Sequence, residues 1–306
     1  MRDESSPPAE IARSMYDPLD LHIQGLGVPK RSGWSRLSSQ STLLLLTGVA
    51  LGPQGLAVLT PAVLEVLRPA VPVALAVLGV STVFGSTAHS GGFPRWRTHL
   101  ASFLILVSGL AMAWHQREIL DAAAIIGQAA CIAILLAGAG WLLSSSGASD
   151  EERRVFSITI FLLLGGVADY LSVPALLLGW IAATAWQLVQ ARQLSEVRLD
   201  AAYVQHPMTA LLLITAGARV ELSWQVVLLG AAAVSVAMAL ALFFRRRRPI
   251  RDVTFGGIPV TPAAFAVALA MDATRLDPRM TMLLSIVVLA ASIFDVVSDR
   301  LAEDAA

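Results

Sequence analysis

The sequence predicts an all-α integral membrane protein with about ten transmembrane helices, and three observations support this fold class. Apolar runs recur along the chain, most of them close to the roughly 20 residues that cross a hydrocarbon core about 30 Å thick. Hydrophobic residues make up 56% of the chain and charged residues only 14%, whereas an average soluble domain has about 25% charged residues. Basic residues are concentrated in every second gap between the runs.

Ten apolar runs are predicted to be helices. They span residues 41–59, 69–88, 99–114, 122–143, 155–171, 173–190, 207–218, 225–244, 258–271 and 280–298. The polar stretch 1–40, rich in Ser, Pro and charge, is predicted to be a largely disordered cytoplasmic tail, and 299–306 a short cytoplasmic tail. Because so long a polar stretch precedes the first run, no signal peptide is expected.

The arginine distribution predicts the topology. With the N-terminal tail inside, fifteen basic residues between 30 and 300 fall in the inner gaps and five in the outer gaps. The outer five are Arg68, Arg117, Arg219, Arg275 and Arg279. By the positive-inside rule, both termini face the cytoplasm and the protein lies in the inner (plasma) membrane, in contact with its lipid.

An internal repeat predicts how the helices are arranged. Residues 41–171 and 173–298 each hold five runs, so the second half enters the membrane from the opposite side. An odd number of spans in each half, with the two halves in opposite orientation, is typical of inverted-topology repeats in secondary transporters. Each half also places a Gly-containing helix ahead of a second one with a predicted break, around Pro72 and Gly79 in the first half and at 215–219 in the second.

A second pair of predicted breaks lies at Gly127–Gln128 and at the stretch 256–262, which holds two glycines and two prolines. Broken helices free backbone groups that must be buried or line a cavity. The alternative is that these glycines simply let helices pack closely, as small residues do in membrane proteins.

Five segments resemble, in order, motifs of monovalent cation/proton antiporters of the Kef and sodium/hydrogen exchanger type. They are LTGVALGPQGL at 46–56, VALAVLGV at 73–80, SVPALLLGWIAA at 172–183, PMTALLLITAGARVEL at 207–222 and TPAAFAVALA at 261–270. The family counterparts are a Gly-x-x-x-Gly-Pro signature, a helix ending in Gly, a Gly-Ala-Phe-x-Ala-Gly helix, a Phe-Phe-x-x-x-Gly helix and a Pro-x-Gly helix. The resemblance covers most of residues 41–298.

This resemblance implies alternating-access exchange of monovalent cations (Na⁺ or K⁺) for protons, and a homodimer formed through scaffold helices. The chain is shortened and diverged, because the family's mid-membrane Asp, usually preceded by Asn or Asp, has no counterpart in the first half. The same departure supports an alternative hypothesis, a degenerate antiporter-like scaffold, sensor or complex subunit without transport. A third hypothesis is a carrier for organic anions, attracted by Arg219 and helix N-termini.

Ionisable residues within or beside membrane spans are functional candidates by default. Asp169 is either a proton carrier or an interfacial residue at the outer end of its span. Arg219 and Glu221, after the predicted break, either pair across a cavity or lie exposed at a helix end. Asp272, with Arg275 and Asp277 close in sequence, is a pathway candidate whose simpler interpretation is a solvated loop.

Two polar residues complete the candidate pathway. Gln128 occupies the fourth span, where its carbonyl oxygen can coordinate a cation or bond a neighbouring helix, although it cannot carry a proton. Thr215 lies at the predicted break. Transport predicts that Gln128, Thr215 and Arg219 converge on one water-filled cavity, and the scaffold hypothesis predicts that apolar side chains separate them.

Other function classes receive no support from the sequence. The five histidines match no metal-ligand spacing, and one cysteine, Cys131, forms no disulfide framework. No nucleotide-binding or hydrolase motif is present, so neither an enzyme, a cofactor, a metal nor a nucleic acid partner is expected.

Overall fold

The computed structural model describes residues 33–87, 96–116, 119–145, 150–189, 194–221, 223–245 and 262–303. Within these ranges the chain is all-helical and has no strand. The helices are α1 (Gly33–Leu51), α2 (Pro61–Leu67), α3 (Ala70–Thr87), α4 (Trp96–Gln116), α5 (Ile119–Ser145), α6 (Asp150–Tyr170), α7 (Ala175–Val189), α8 (Leu194–Ala218), α9 (Trp224–Arg245), α10 (Pro262–Leu276) and α11 (Thr281–Glu303), with a 3₁₀ turn at Pro278–Met280.

Each of the ten predicted runs contains one long helix, so the all-helical fold class is confirmed. Several helix ends differ from the predicted ones. The helix α1 begins at Gly33, inside the predicted tail, and ends at Leu51, because Pro53 disfavours a helical conformation at Gly52. The helix α8 begins at Leu194 rather than at 207, and α11 extends to Glu303. The rest of the predicted tails, 1–32 and 304–306, lies outside the described residues.

Membrane crossing by ten helices stays a prediction. Among the described residues, one helix segment, Asp121–Leu142 of α5, is both long and apolar enough to span a bilayer. A second span is obtained if α2 and Ala70–Phe84 of α3, bent by 47° at their junction, count as one. By length and composition alone, one or two such helices do not distinguish a membrane protein from a soluble protein with an apolar core helix.

The helix α3 lies at the centre of the structure, with every residue from 71 to 84 buried. It packs mainly on α7, and also on α8 and α6. The crossing with α7 is close, because a methyl group at Gly79 would overlap the carbonyl of Leu176, and one at Gly179 would overlap the carbonyl of Ala76. Glycine therefore lets these two backbones touch.

The helices α1 and α8 form a second crossing of the same kind. A methyl group at Gly48 would overlap the carbonyl of Ile214, one at Gly217 the carbonyl of Leu45, and one at Gly52 the backbone of Ala218. Residue numbers rise together along this contact, so α1 and α8 run parallel. The alternative interpretation, that glycines permit close packing, is correct for these positions.

Three of the predicted breaks are wrong. The helix α3 runs through Gly79 without interruption, and Pro72 lies in its first turn, where the missing N–H removes no helical hydrogen bond. The helix α5 is continuous through Gly127 and Gln128. The predicted break at 215–219 is the C-terminal end of α8. Residues 256–261 lie outside the described residues, and Pro262 begins α10.

Candidate functional site

Asp272 is the most buried acidic residue in the described part of the chain. Its side chain is 1% exposed and lies on the last turns of α10. The carboxylate accepts two backbone hydrogen bonds, Oδ1 from the N–H of Ala175 and Oδ2 from the N–H of Leu176, both at 3.1 Å. The interpretation of Asp272 as a residue of a solvated loop is therefore wrong.

The start of α7 explains why a carboxylate is stable there. The first N–H groups of a helix have no partner within the helix, and the helix dipole places partial positive charge at this end. Val173 and Pro174 precede α7 and offer no side chain that can accept a hydrogen bond. Asp272 supplies the missing acceptor from a helix almost a hundred residues away. The cap of α7 is therefore a tertiary contact and not a side chain of the residue that precedes the helix.

Arg275 provides the countercharge from one turn along α10. Its Nη2 lies 3.3 Å and its Nε 3.4 Å from Oδ1 of Asp272. Its Nη1 donates to the carbonyl of Ala168 at 3.3 Å and to Oδ1 of Asp169 at 3.2 Å, and its Nη2 also donates to the carbonyl of Val173. With 7% of the side chain exposed, this guanidinium joins α10 to α6 and to the turn that follows α6.

The turn between α6 and α7 gives Arg275 its carbonyl partners. Ser172 has a φ of 50°, in the left-handed region. Its N–H donates to the carbonyl of Asp169, and that of Val173 to the carbonyl of Ala168. This pair of bonds is the Schellman arrangement that commonly ends helices, usually with Gly at the left-handed position. Pro174 then prevents α6 from continuing.

Asp169, Asp272 and Arg275 form the charged cluster of this structure, with two carboxylates against one guanidinium. Asp169 is 45% exposed, so one end of the cluster meets the surroundings while Asp272 is enclosed. Burial disfavours the charged form of a carboxylic acid, whereas Arg275 and two N–H donors favour it. An excess of one negative charge suits a single proton or a single monovalent cation.

Thr215 and Gln128 do not belong to a shared polar cavity. Thr215 is buried, and its hydroxyl donates within α8, to the carbonyls of Leu211 and Leu212 at 2.9 Å. Gln128 is exposed on the surface of α5. No hydrogen bond among the described residues joins either side chain to Arg219 or to the charged cluster. The predicted convergence of Gln128, Thr215 and Arg219 is not found in the described chain.

Arg219 and Glu221 lie just after α8, and no ion pair joins them in the described chain. Glu221 is exposed, and its backbone N–H donates to the hydroxyl of Ser285 at 2.9 Å. Arg219 is half-buried. Burial lowers the pKa of its guanidinium, the nearby Glu65 carboxylate raises this pKa, and Arg68 lowers it. Glu65 and Arg68, of α2 and its C-terminal cap, are thus close enough to Arg219 to influence its charge.

Arg275 is the residue whose role sequence reasoning missed, because it was interpreted as an outer arginine and as part of a solvated loop with Asp272. The Asp272–Arg275 spacing of three residues on one helix is the signal that could have identified it, since side chains at that spacing are neighbours. Nothing in the local sequence indicated its bonds to α6 and the following turn.

A shallow cleft lies next to the cluster, between α5 and α7. Its lining is apolar and consists of Ile126, Ala129, Val173, Pro174, Leu177, Leu178 and Ile181. The described ranges contain no group of three or more His, Cys, Asp or Glu residues that could hold a metal ion. Comparison of the chain with models of protein families, with curated proteins and with solved structures gives no match in any of the three.

Proposed function

We propose that this chain is a multi-pass membrane protein that exchanges monovalent cations for protons, with Asp272 as the exchanging carboxylate. The observation that carries the proposal is a buried carboxylate, 1% exposed, in a cluster with one excess negative charge. An ionised carboxylate in an apolar environment is costly unless it is paired and hydrogen-bonded. Ionisable residues retained inside membrane proteins commonly mark functional sites. Asp272 would take over the role of the mid-membrane aspartate of the family that the chain resembles, from the end of the bundle where α6 ends and α7 begins.

Membrane embedding is supported by the helix α5. Its segment Asp121–Leu142 has a mean hydropathy of 2.1, yet only 22% of the segment is buried inside the protein. A helix that is apolar on all sides is stable when it is enclosed either by protein or by lipid. Because protein covers little of α5, lipid is the environment that suits its remaining surface.

Other outer helices carry the same kind of surface. Their exposed large apolar side chains include Phe103 and Leu110 of α4, Leu162 of α6, Leu228 of α9 and Leu283 of α11. Contiguous apolar patches larger than a few hundred Å² are rare on monomeric soluble proteins.

The two glycine crossings, α1 with α8 and α3 with α7, support an inverted repeat. If α1 corresponds to α7 and α3 to α8, each crossing is the counterpart of the other.

Competition at Asp272 gives the exchange its chemistry. With the carboxylate ionised, the excess negative charge would attract one balancing monovalent cation to the partly exposed Asp169. A proton bound to Asp272 removes one negative charge and neutralises the three-residue cluster. The cluster then no longer attracts a cation electrostatically. Cation and proton would thus exclude each other, while movement of α10 against α6 and α7 would change the side from which Asp272 is reached.

Proteoliposomes test this proposal. Internal pH is followed with a dye while Na⁺ or K⁺ is added outside, for the wild type, Asp272→Asn and Asp121→Asn. Asp121 is the matched control, because it is an exposed carboxylate in the first turn of α5. A cation-driven pH change that persists in Asp121→Asn and is lost in folded Asp272→Asn supports exchange at Asp272. An equal response from all three proteins excludes it.

A second function, a membrane scaffold or complex subunit without transport, is favoured by a separate observation. Gln128 is exposed, Thr215 is satisfied within its own helix, and the cleft beside the cluster is apolar. On this hypothesis the charged cluster is purely structural. Absence of any cation-driven pH change in folded, inserted wild-type protein, with both ions tested, would support this second function.

A further inference from the structure

The short helix α2 separates its exposed side chains into two stripes. At 100° per residue, Val63 and Val66 point to one side of α2 and Glu65 and Arg68 to the opposite side. Val66 is 77% exposed and Val63 is also exposed, while Glu65 and Arg68 form an ion pair at 3.5 Å. The apolar stripe is thus not the face that packs on the protein, which is the side of the buried Leu64.

The turn that precedes α2 presents further apolar side chains. Leu56 is 73% exposed and Val58 is exposed as well. The turn has a defined shape, because the N–H of Leu56 donates to the carbonyl of Ala50, and that of Leu59 to the carbonyl of Leu51, both at 2.7 Å. These apolar side chains are held outward on an ordered backbone.

Aromatic residues mark the same end of the helix bundle. The helices α3 and α7 run parallel, because Gly79 lies beside Leu176 while Val83 and Phe84 contact Gln187 and Trp186 further along. Their N-termini therefore lie at one end, where α6 also ends. Tyr170 at the end of α6 and Trp224 at the start of α9 are both largely exposed there. Tyr and Trp are enriched where membrane proteins meet the headgroup layer. Arg68 lies just before α3, and the half-buried Arg219 follows Ala218, whose backbone is next to Gly52.

We infer that residues 53–68 form an interfacial anchor, with α2 lying in the headgroup layer of the bilayer. Leu56, Val58, Val63 and Val66 enter the acyl boundary, and Arg68 and Arg219 meet lipid phosphates. The partner is a phospholipid surface, since an apolar stripe opposite a charged stripe suits a helix lying in that plane. The 47° bend between α2 and α3 directs α2 away from the direction of the span. This inference rests on the proposed membrane embedding.

Site-directed spin labelling of the full chain in phospholipid vesicles tests the anchor. Cys131, the single cysteine, is exposed and is first replaced by Ala. Single cysteines are then introduced as Val66→Cys, Arg68→Cys and Leu135→Cys, and the labels are compared for collisions with oxygen, which concentrates in lipid, and with a water-soluble nickel complex. Leu135 is an exposed residue in the middle of α5 and serves as the lipid reference.

The expected result is a loss of nickel accessibility at position 66 relative to position 68, with position 135 lowest of the three. Equal, water-like nickel accessibility at 66 and 68, with position 135 in lipid, would overturn the anchor and leave membrane embedding intact. Water-like accessibility at position 135 as well would overturn both.

Discussion

Arg275 Nη1 lies 3.2 Å from Oδ1 of Asp169, a residue separated from it by 106 positions in the chain. The same guanidinium contacts Asp272 within its own helix. One buried arginine therefore joins the partly exposed carboxylate of α6 to the enclosed carboxylate of α10. The stability of the α6–α7 junction and the proposed exchange both depend on these groups.

Replacement of Asp272 is expected to destabilise the protein. Asp272→Ala removes the acceptor for two N–H groups and leaves Arg275 without its main countercharge, and breaking a buried ion pair costs about 3–5 kcal/mol. Asp272→Asn keeps one acceptor oxygen and should cost less. Thermal unfolding of the full chain in detergent measures both, with the exposed Asp121→Ala as control. An unchanged midpoint for Asp272→Ala would show that the capping bonds contribute nothing.

Asp272 and Arg275 should show coupled effects in a double-mutant cycle. Arg275→Gln alone leaves an enclosed carboxylate with two N–H donors and no countercharge, whereas Arg275→Gln with Asp272→Asn removes both charges. The double variant should therefore be more stable than the sum of the two single effects predicts, by roughly 0.5–3 kcal/mol. Unfolding midpoints of the four proteins give the coupling energy. If the two single effects add up to that of the double variant, Asp272 and Arg275 have no energetic coupling.

Glycines at the helix crossings should resist substitution, while a glycine elsewhere should not. Gly79→Ala and Gly217→Ala place a methyl group against backbone carbonyls, and overpacking of this kind costs about 1–3 kcal/mol. Gly127→Ala is the matched control, because nothing lies within 4 Å of its added methyl group. That control should be neutral or stabilising by up to about 1 kcal/mol, since Gly weakens helix interiors. Equal effects at all three positions would contradict the close crossings.

Ser172 should tolerate Gly and reject Val. Its φ of 50° is natural for Gly and costly for a β-branched side chain. Ser172→Gly is expected to be neutral or slightly stabilising, and Ser172→Val to destabilise by about 1–3 kcal/mol. The control is Ser108→Val, within the regular helix α4. Ser223 is unsuitable as a control because its hydroxyl caps α9. A Val variant as stable as the wild type would argue against the left-handed turn.

The positions of the helices could be predicted from the sequence, because a run of apolar residues and the proline or glycine that ends it are local properties. Each of the ten runs contains a helix, and the largest error is at the start of α8, where the more polar stretch 194–206 extends the helix beyond the apolar run. Asp169 and Asp272 could also be identified as candidates, since ionisable residues near apolar runs are uncommon.

Only the tertiary structure decided what those residues contact. Asp272 caps α7 from another helix, and Arg275 joins α10 to α6 and the turn after it. Gly48 and Gly217 bring backbones together rather than breaking helices. Gln128, which the sequence made a pathway candidate, faces outward. The physical reason is that burial, hydrogen bonding and ion pairing depend on groups from distant parts of the chain. Local periodicity determines where a helix forms, but helix packing determines which face is enclosed.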